Sequence, residues 1–422
     1  MKHRSLHGKL IPLALLLCCL FCARLSAERD ISFSGYAGVK GDFYADPAQE
    51  DFDPAFALQG YFGGQLNIAP AFLLRLEFSI QTDDVTEQSP FSDGGIASHF
   101  FIDELSATYI KPFLNITQYF SLFLGSFEPI GNDIFLQRHF GIEPISSHIT
   151  ESWLGLRGST AYPFYGAGGS YIVHLNKKPI ATGAYLYVND ENWEDKNQLN
   201  LDWRFATVYP YLALDFAIGL GAPMSHKQGN EDVIVLIDSL YLHSGINLLV
   251  GNKYSTSLFV QSGFSNLQLK AGETRYEIAS KDLYLLVEPR FVTKNFQTHI
   301  TMFSVPVETV EKLLFVTDTF GFNIAVFTDN LYIKNKNITF GFHTTWSFGE
   351  DAQGRRRYLT DLKHIADLVK DTEHFNVKIT PFVDIPIAGG QVHTMLQATV
   401  TNLSADTWKD HFKLSVGYKG RI

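Results

Sequence analysis

Residues 100–149 read FFIDELSATYIKPFLNITQYFSLFLGSFEPIGNDIFLQRHFGIEPISSHI. The first part alternates, with Phe101, Asp103, Leu105, Ala107 and Tyr109 on one side and Ile102, Glu104, Ser106, Thr108 and Ile110 on the other. A short connection, Lys111–Ile116, leads into a second alternating run in which Phe120, Leu122 and Leu124 oppose Ser121, Phe123 and Gly125. A period of two is the signature of a half-buried strand. From Glu128 to Ile149 the alternation stops, and charges of both signs appear at Glu128, Asp133, Arg138 and Glu143. Two strands, a tight turn and a long charged loop make a hairpin with one short and one long end. Repeated along a chain, that asymmetry describes a transmembrane β-barrel, with Glu128–Ile149 as a loop able to fold into the lumen.

Residues 1–27 read as an export signal. Lys2, Arg4 and Lys9 precede the apolar run Leu10–Phe21, and a small residue, Ala27, follows. That order belongs to a secretory signal peptide, and the apolar run falls short of the ~20 residues a membrane-crossing helix needs. All three cysteines, Cys18, Cys19 and Cys22, lie inside it. Phe21 is bulky where lipid attachment at Cys22 would want a small residue. Cleavage after Ala27 is expected to leave a chain without disulfides or thiol chemistry. It also removes Lys2, Arg4, Lys9 and Arg24, leaving 30 basic residues against 44 acidic ones, a net of −14. That balance argues against a nucleic-acid partner, which would need a basic stripe.

Aromatic residues make up 14% of the chain and charged residues only 18%. No apolar run after residue 27 reaches the length of a spanning helix. Apolar and aromatic residues instead recur at every second position. Ile31–Tyr44, Phe56–Ile68 and Leu73–Gln81 alternate in this way, the last with Leu74, Leu76, Phe78 and Ile80 against Arg75, Glu77 and Ser79. The connections after them run long, short, long. Continued to His411–Ile422, the pattern gives an all-β chain of about 18 strands, or 16 to 20 if a hairpin is merged or split. Short turns such as Ala69–Ala71, Asn176–Pro179 and Thr293–Asn295 all fall on one side, with Thr328–Asn337 as an overlong exception. A soluble β-sandwich would also alternate, but it has no need for long connections at nearly every second position. In Gly349–Asp371, Leu359, Leu362, Ile365, Ala366 and Val369 share one helical face, so this loop is expected to carry a helix.

No metalloprotease, hydrolase, phosphate-loop or paired-cysteine motif occurs after residue 27. His243 and Ser244 are adjacent, so on a strand they face opposite sides and form no catalytic pair. The sequence therefore implies no enzyme and no cofactor. The faces opposite the apolar ones carry Lys40, Arg75, Arg204, Arg290, Lys378, Lys413, Lys419 and Arg421, with Asp42, Glu77, Glu104, Asp202, Asp215 and Glu288. Mixed charge suits a water-filled lumen, and it equally suits ion pairs that hold a barrel in shape. Eight basic and six acidic groups are too evenly matched to assign ion selectivity.

Asp103-Glu104-Leu105, Gly125-Ser126-Phe127-Glu128-Pro129-Ile130-Gly131 and Phe140-Gly141-Ile142-Glu143 together resemble general bacterial porins. The detailed likeness covers about 45 residues, and the remainder resembles porins in architecture. The terminal strand, with Leu414, Val416, Tyr418 and Ile422 on one face, resembles the C-terminal signal of outer-membrane barrels, although Ile422 stands where Phe or Trp is usual. The resemblance implies a homotrimer with its third loop narrowing the channel. A fatty-acid transporter would carry a hatch domain before its first strand, and here the first strand starts almost at the cleavage site. The expectation is an outer-membrane porin of a diderm bacterium passing small hydrophilic solutes. Glu128, Asp133 and Arg138 are expected on the loop side of the constriction. Arg75, Glu104, Arg204 and Arg290 are expected on the wall. A surface adhesin or structural barrel with a closed lumen is the alternative from another class.

Overall fold

The structure, a computed structural model, describes residues 31–422 apart from 46–53, 69–70, 87–97, 157, 163, 191–196, 227–232, 236–238, 271–281, 311–312, 314, 317, 329–330, 334–335, 349–374, 388 and 402–410. The expected signal peptide and the expected helix in Gly349–Asp371 lie outside the described residues. Eighteen antiparallel strands pair in chain order and close on themselves. They are β1 (Ile31–Ala45), β2 (Pro54–Ile68), β3 (Phe72–Thr82), β4 (Ser98–Phe113), β5 (Ile116–Gly125) and β6 (Gly166–Leu175). Next come β7 (Ile180–Asn189), β8 (Gln198–Tyr209), β9 (Leu212–His226), β10 (Ser239–Gly251), β11 (Thr256–Lys270) and β12 (Leu283–Val292). The last third is β13 (Phe296–Ser304), β14 (Phe320–Thr328), β15 (Thr339–Phe348), β16 (Phe375–Ile387), β17 (Gly390–Thr399) and β18 (Phe412–Arg421). Closure runs from Tyr36 opposite Arg421 to Tyr44 opposite Lys413, and it satisfies the two edges an open sheet would leave unpaired.

The alternation expected from sequence sorts the two faces. On β8, Asn200, Asp202 and Arg204 are buried inward while Leu201 and Trp203 are 58% and 48% exposed outward. On β12, Tyr284, Leu286, Glu288 and Arg290 point in and Phe291 points out. Near the short turns, Phe72, Tyr109, Phe120 and Tyr171 form a continuous outward row across β3 to β6, with ring centroids 5.0, 6.4 and 4.8 Å apart. The overlong connection between β14 and β15 carries its own small ladder, Tyr332–Ile333 against Lys336–Asn337.

Two expectations fail locally. A β-bulge on β4 places Glu77 opposite Glu104 but Phe78 opposite Ile102, so one extra residue interrupts the period of two. Asp103 and Glu104 are therefore both buried on the inner side, and Phe101 and Asp103 line the lumen instead of sharing the face of Leu105 and Tyr109. In the sequence, Tyr162–Leu175 reads as one glycine-rich run, but the strand begins only at Gly166. Tyr162 lies instead in the segment that fills the barrel, where its ring stacks on His243 at 3.8 Å and its hydroxyl accepts hydrogen bonds from Asn189 and Asn200 at 3.1 and 2.7 Å.

The interior is packed. The described residues of 126–165 cross the lumen, and those of 305–319 enter from the same end. Phe127, Ile130, Phe135, Leu136 and Ile149 of the first segment join Phe315 and Val316 of the second in one buried cluster with the walls of β5 to β17. Phe315 stacks on His343 at 3.7 Å, and its carbonyl accepts a hydrogen bond from Thr345. Close-packed contacts of this kind leave few voids, so the lumen retains space mainly beside β1 to β4.

Candidate functional site

The crossing segment leaves the wall at Gly125, whose φ of 101° only glycine adopts readily and whose missing Cβ makes room for the Asp103 carbonyl. Ser126 ties the two ends of the segment together: its amide donates to Asp103 O at 2.8 Å and its hydroxyl to Phe164 O at 2.7 Å. Within it, Ile134–Phe140 forms a seven-residue helix, α1, with Phe135, Leu136 and His139 buried. Arg138 and His139 fall in its last turn, where positive charge complements the carbonyl end, and Gly141 closes it with φ 65°.

Four of the residues expected at the constriction meet in one network. Arg138 donates to Glu104 Oε2 at 2.6 Å, and its other terminal nitrogen lies 3.8 Å from Glu128 Oε1. Glu128 also accepts from Tyr185 at 2.7 Å and lies 3.2 Å from His139 Nε2. Arg204 forms a two-point pair with Asp215, donates to the carbonyls of Glu128 and Pro129, and lies with its guanidinium 4.4 Å from the Phe135 ring centroid. Glu128 has φ 53°, a conformation that costs a non-glycine residue on the order of 1 kcal/mol and persists only where its surroundings hold it. Burial alone would raise its carboxyl, but His139, Arg138 and Arg204 hold it down at about 2. The same carboxylates raise Arg138 against the burial that would lower it.

The remaining expected residues serve the segment in other ways. Arg290 pairs with Glu288 at 2.7 Å and donates to Ser146 O at 3.1 Å, while Ser147 donates to Glu288. Asp133 faces its own segment and accepts from the amides of Ile145 and Ser146 at 2.8 and 2.6 Å, and burial pushes its carboxyl up despite those donors. Arg75 donates to Gln65 at 2.8 Å. Gln261 donates to Gly131 O, and Ser159 to the Tyr284 hydroxyl at 2.8 Å. On the far wall the contact is steric. Trp153 and Leu154 lie where side chains at Gly417 and Gly38 would be, and Gly155 passes against the Tyr61 ring. Tyr36 donates to the Tyr61 hydroxyl at 3.0 Å and Tyr61 donates to Glu77, so this part of the wall carries its own chain.

Beside that seal remains a cavity of about 970 Å³ toward the long-loop end, bordered by β1 to β4, Trp153–Leu156 and Lys413. Toward the short-turn end the same wall presents Ser32, Ser34, Gln65 and Asn67, all at least partly exposed. Gln65 donates to Asn67 at 2.7 Å and Asn67 to Ser32 at 3.1 Å. Several of the expected wall charges are paired: Lys40 and Lys413 each lie 3.2 Å from Asp42, and His243 lies 2.8 Å from Asp202. His243 faces inward, and Ser244 instead donates to Ala217 O. Sequence reading missed the Tyr36–Tyr61–Glu77 chain and the Tyr162–His243–Asp202 stack. The inward register already names Glu77 and Asp202 and would add His243, but Tyr162 comes from a segment whose path the sequence does not encode locally.

Similar solved structures are porins. One engineered variant of the Rhodopseudomonas blastica porin shares 7% identity at a TM-score of 0.41, and another shares 9% at 0.39; each match covers 93% of this chain and 100% of the other. No protein-family model and no curated protein sequence matches the chain.

Proposed function

We propose that this chain is an outer-membrane porin of a diderm bacterium, passing small hydrophilic solutes by diffusion and doing no chemistry. One observation carries the reading. A closed cylinder turns apolar side chains outward and keeps a polar cavity inside, narrowed by a segment pinned to the wall by the buried Arg138–Glu104 ion pair and by hydrogen bonds from Arg204 and Arg290. Oil outside and water inside is the partition a membrane barrel requires, and strands of nine to sixteen residues meet the ~9–11 needed to cross. The outward aromatic row near the short turns suits the headgroup level of one leaflet. In this reading the buried network of Glu104, Glu128 and Arg138 fixes the constriction segment, Arg204 and Arg290 anchor it, Asp133 keeps its shape, and Arg75 belongs to the wall.

Homotrimerisation, which the porin resemblance implies, is supported by one feature of the outer wall. An apolar depression of about 1410 Å³ crosses β1 to β8, floored by Ala107, Ala167, Gly169 and Ala184 and rimmed by Phe33, Phe72 and Tyr171. Cross-linking in mild detergent tests it, with a trimer expected.

The channel reading is tested in planar bilayers with the mature chain folded in detergent. Discrete conductance steps are expected, enlarged when residues 131–160 are replaced by a short linker. The seal of Trp153–Gly155 against Gly38, Gly417 and Tyr61 favours a second reading, a closed barrel whose loops bind other molecules. Folded protein that never conducts, even with the linker, establishes that second reading instead.

A further inference from the structure

The cavity beside β1 to β4 is lined by two kinds of side chain in neighbouring rows. Cross-strand register sets Tyr61, Ser79 and Phe101 side by side on β2, β3 and β4. One inward position nearer the long loops, ~6.6 Å along the strands, it sets Lys40, Gln59 and Gln81 side by side on β1, β2 and β3. Tyr44 stands two inward positions above Lys40, and the crossing segment contributes Trp153 and Tyr165 to the same space. Both are held in place: the Tyr165 hydroxyl donates to Ile102 O at 3.1 Å, beside Phe101, and Lys419 Nζ donates to Trp153 O at 3.4 Å. Tyr44, Phe101, Trp153 and Tyr165 all keep exposed surface at the cavity. The Gln59 amide has no hydrogen-bond partner among the described residues. Ring faces and amides thus border one space of about 970 Å³, at the upper end of the ~300–1,000 Å³ of ordinary ligand pockets.

We propose that this vestibule binds short neutral oligosaccharides, with Tyr44, Phe101 and Tyr165 carrying sugar faces and Gln59 and Gln81 bonding hydroxyls. As a substrate class it rests on the channel reading above. A pyranose ring has an apolar C–H face and a rim of hydroxyls that donate and accept, so it satisfies rings and amides together. A purely aromatic solute would cover the amides without bonding them, which costs their desolvation. An ion would gain little from the ionised groups of the lining, because they are engaged: Lys40 and Lys413 each lie 3.2 Å from Asp42, and Asp83 lies 3.5 Å from His99. The volume suits two or three pyranose rings better than one.

The test is calorimetric titration of the mature protein with maltotriose, in an amine-oxide detergent because glycoside detergents carry the same rings. Saturable heat is expected from maltotriose and none from benzyl alcohol or gluconate. The double variant Tyr44→Leu, Phe101→Leu keeps apolar bulk but removes two flat faces, and should bind about 10-fold more weakly. Gln59→Ala removes one hydrogen-bonding group and should bind roughly 2- to 10-fold more weakly. Heat-modified mobility confirms that each variant is folded before it is compared. Wild-type heat that never saturates, benzyl alcohol or gluconate bound as tightly as maltotriose, or wild-type affinity in both variants overturns the site. Bilayer conductance is read separately. Conduction without maltotriose binding removes the site and keeps the channel reading, whereas binding without conduction upholds the site and removes the channel reading.

Discussion

Arg204→Met is the most informative single change, because Arg204, fixed in the wall by Asp215, holds the crossing segment by two kinds of contact, carbonyl hydrogen bonds and a ring face. It pairs at two points with Asp215, donates to the Glu128 and Pro129 carbonyls, and stacks over Phe135 at 4.4 Å. Arg204 is 2% and Asp215 4% exposed, so methionine leaves a buried carboxylate uncompensated. Removing one member of a buried pair typically costs about 3–5 kcal/mol. The share felt by the segment alone is a charged hydrogen bond of ~1.5–3 kcal/mol plus a desolvated cation–ring contact of roughly 1–2. A loss of about 3 kcal/mol raises the population of the released segment on the order of 10²-fold. Trypsin cleavage after Arg138, which is buried in the seated segment, reads that population when opening and closing are fast. The variant should be cut about 10²-fold faster than wild type, and in bilayers its open-channel noise should rise. Arg204→Met with Asp215→Leu should recover part of the loss, because no unpaired charge is then left in the wall. Cleavage and noise within twofold of wild type in the single variant would refute the view that Arg204 seats this segment.

The Glu128 carboxyl, held from its ordinary 4.5 down to about 2, contributes on the order of 3 kcal/mol that is fully present above about pH 4.5 and is lost as pH falls through about 2. Conductance traces at stepwise lower pH should therefore stay quiet to about pH 4.5 and become noisy between there and pH 2, whereas Glu128→Gln should be noisy already at pH 7. Gly417→Ala puts a Cβ into the Trp153 ring, an overpacking worth about 1–3 kcal/mol; Trp153 should move toward water, seen as a red-shifted emission once the other tryptophans are subtracted, with a larger conductance. Gly125→Ala forces both the φ of 101° and a clash with the Asp103 carbonyl, so folding yield should fall, whereas alanine at Gly60, where nothing lies within 4 Å of a Cβ, should fold as wild type.

Much of the barrel is legible in the sequence because a strand's two faces are set by a local rule. Arg204 and Trp203 point apart whatever surrounds them, and oil against one face and water against the other turns that rule into a visible alternation. The rule breaks where the backbone gains a residue. Phe101 and Asp103 change sides at the bulge opposite Glu77, and nothing in the six residues around them announces it.

The chain alone determined the class of fold, a count of about eighteen ribbons within 16 to 20, the short and long ends, and the inward register of Glu104, Arg204 and Arg290. Each follows from a pattern repeated every two residues, so neighbours in sequence suffice to specify it. Only the tertiary structure decided what those inward groups do. Arg204 could have lined open water; it holds the Glu128 carbonyl instead, because residues 126–165 fold back across the lumen and cover it. That path depends on contacts between residues more than a hundred positions apart, such as Ser159 with Tyr284 and Arg290 with Ser146. No local periodicity records such contacts.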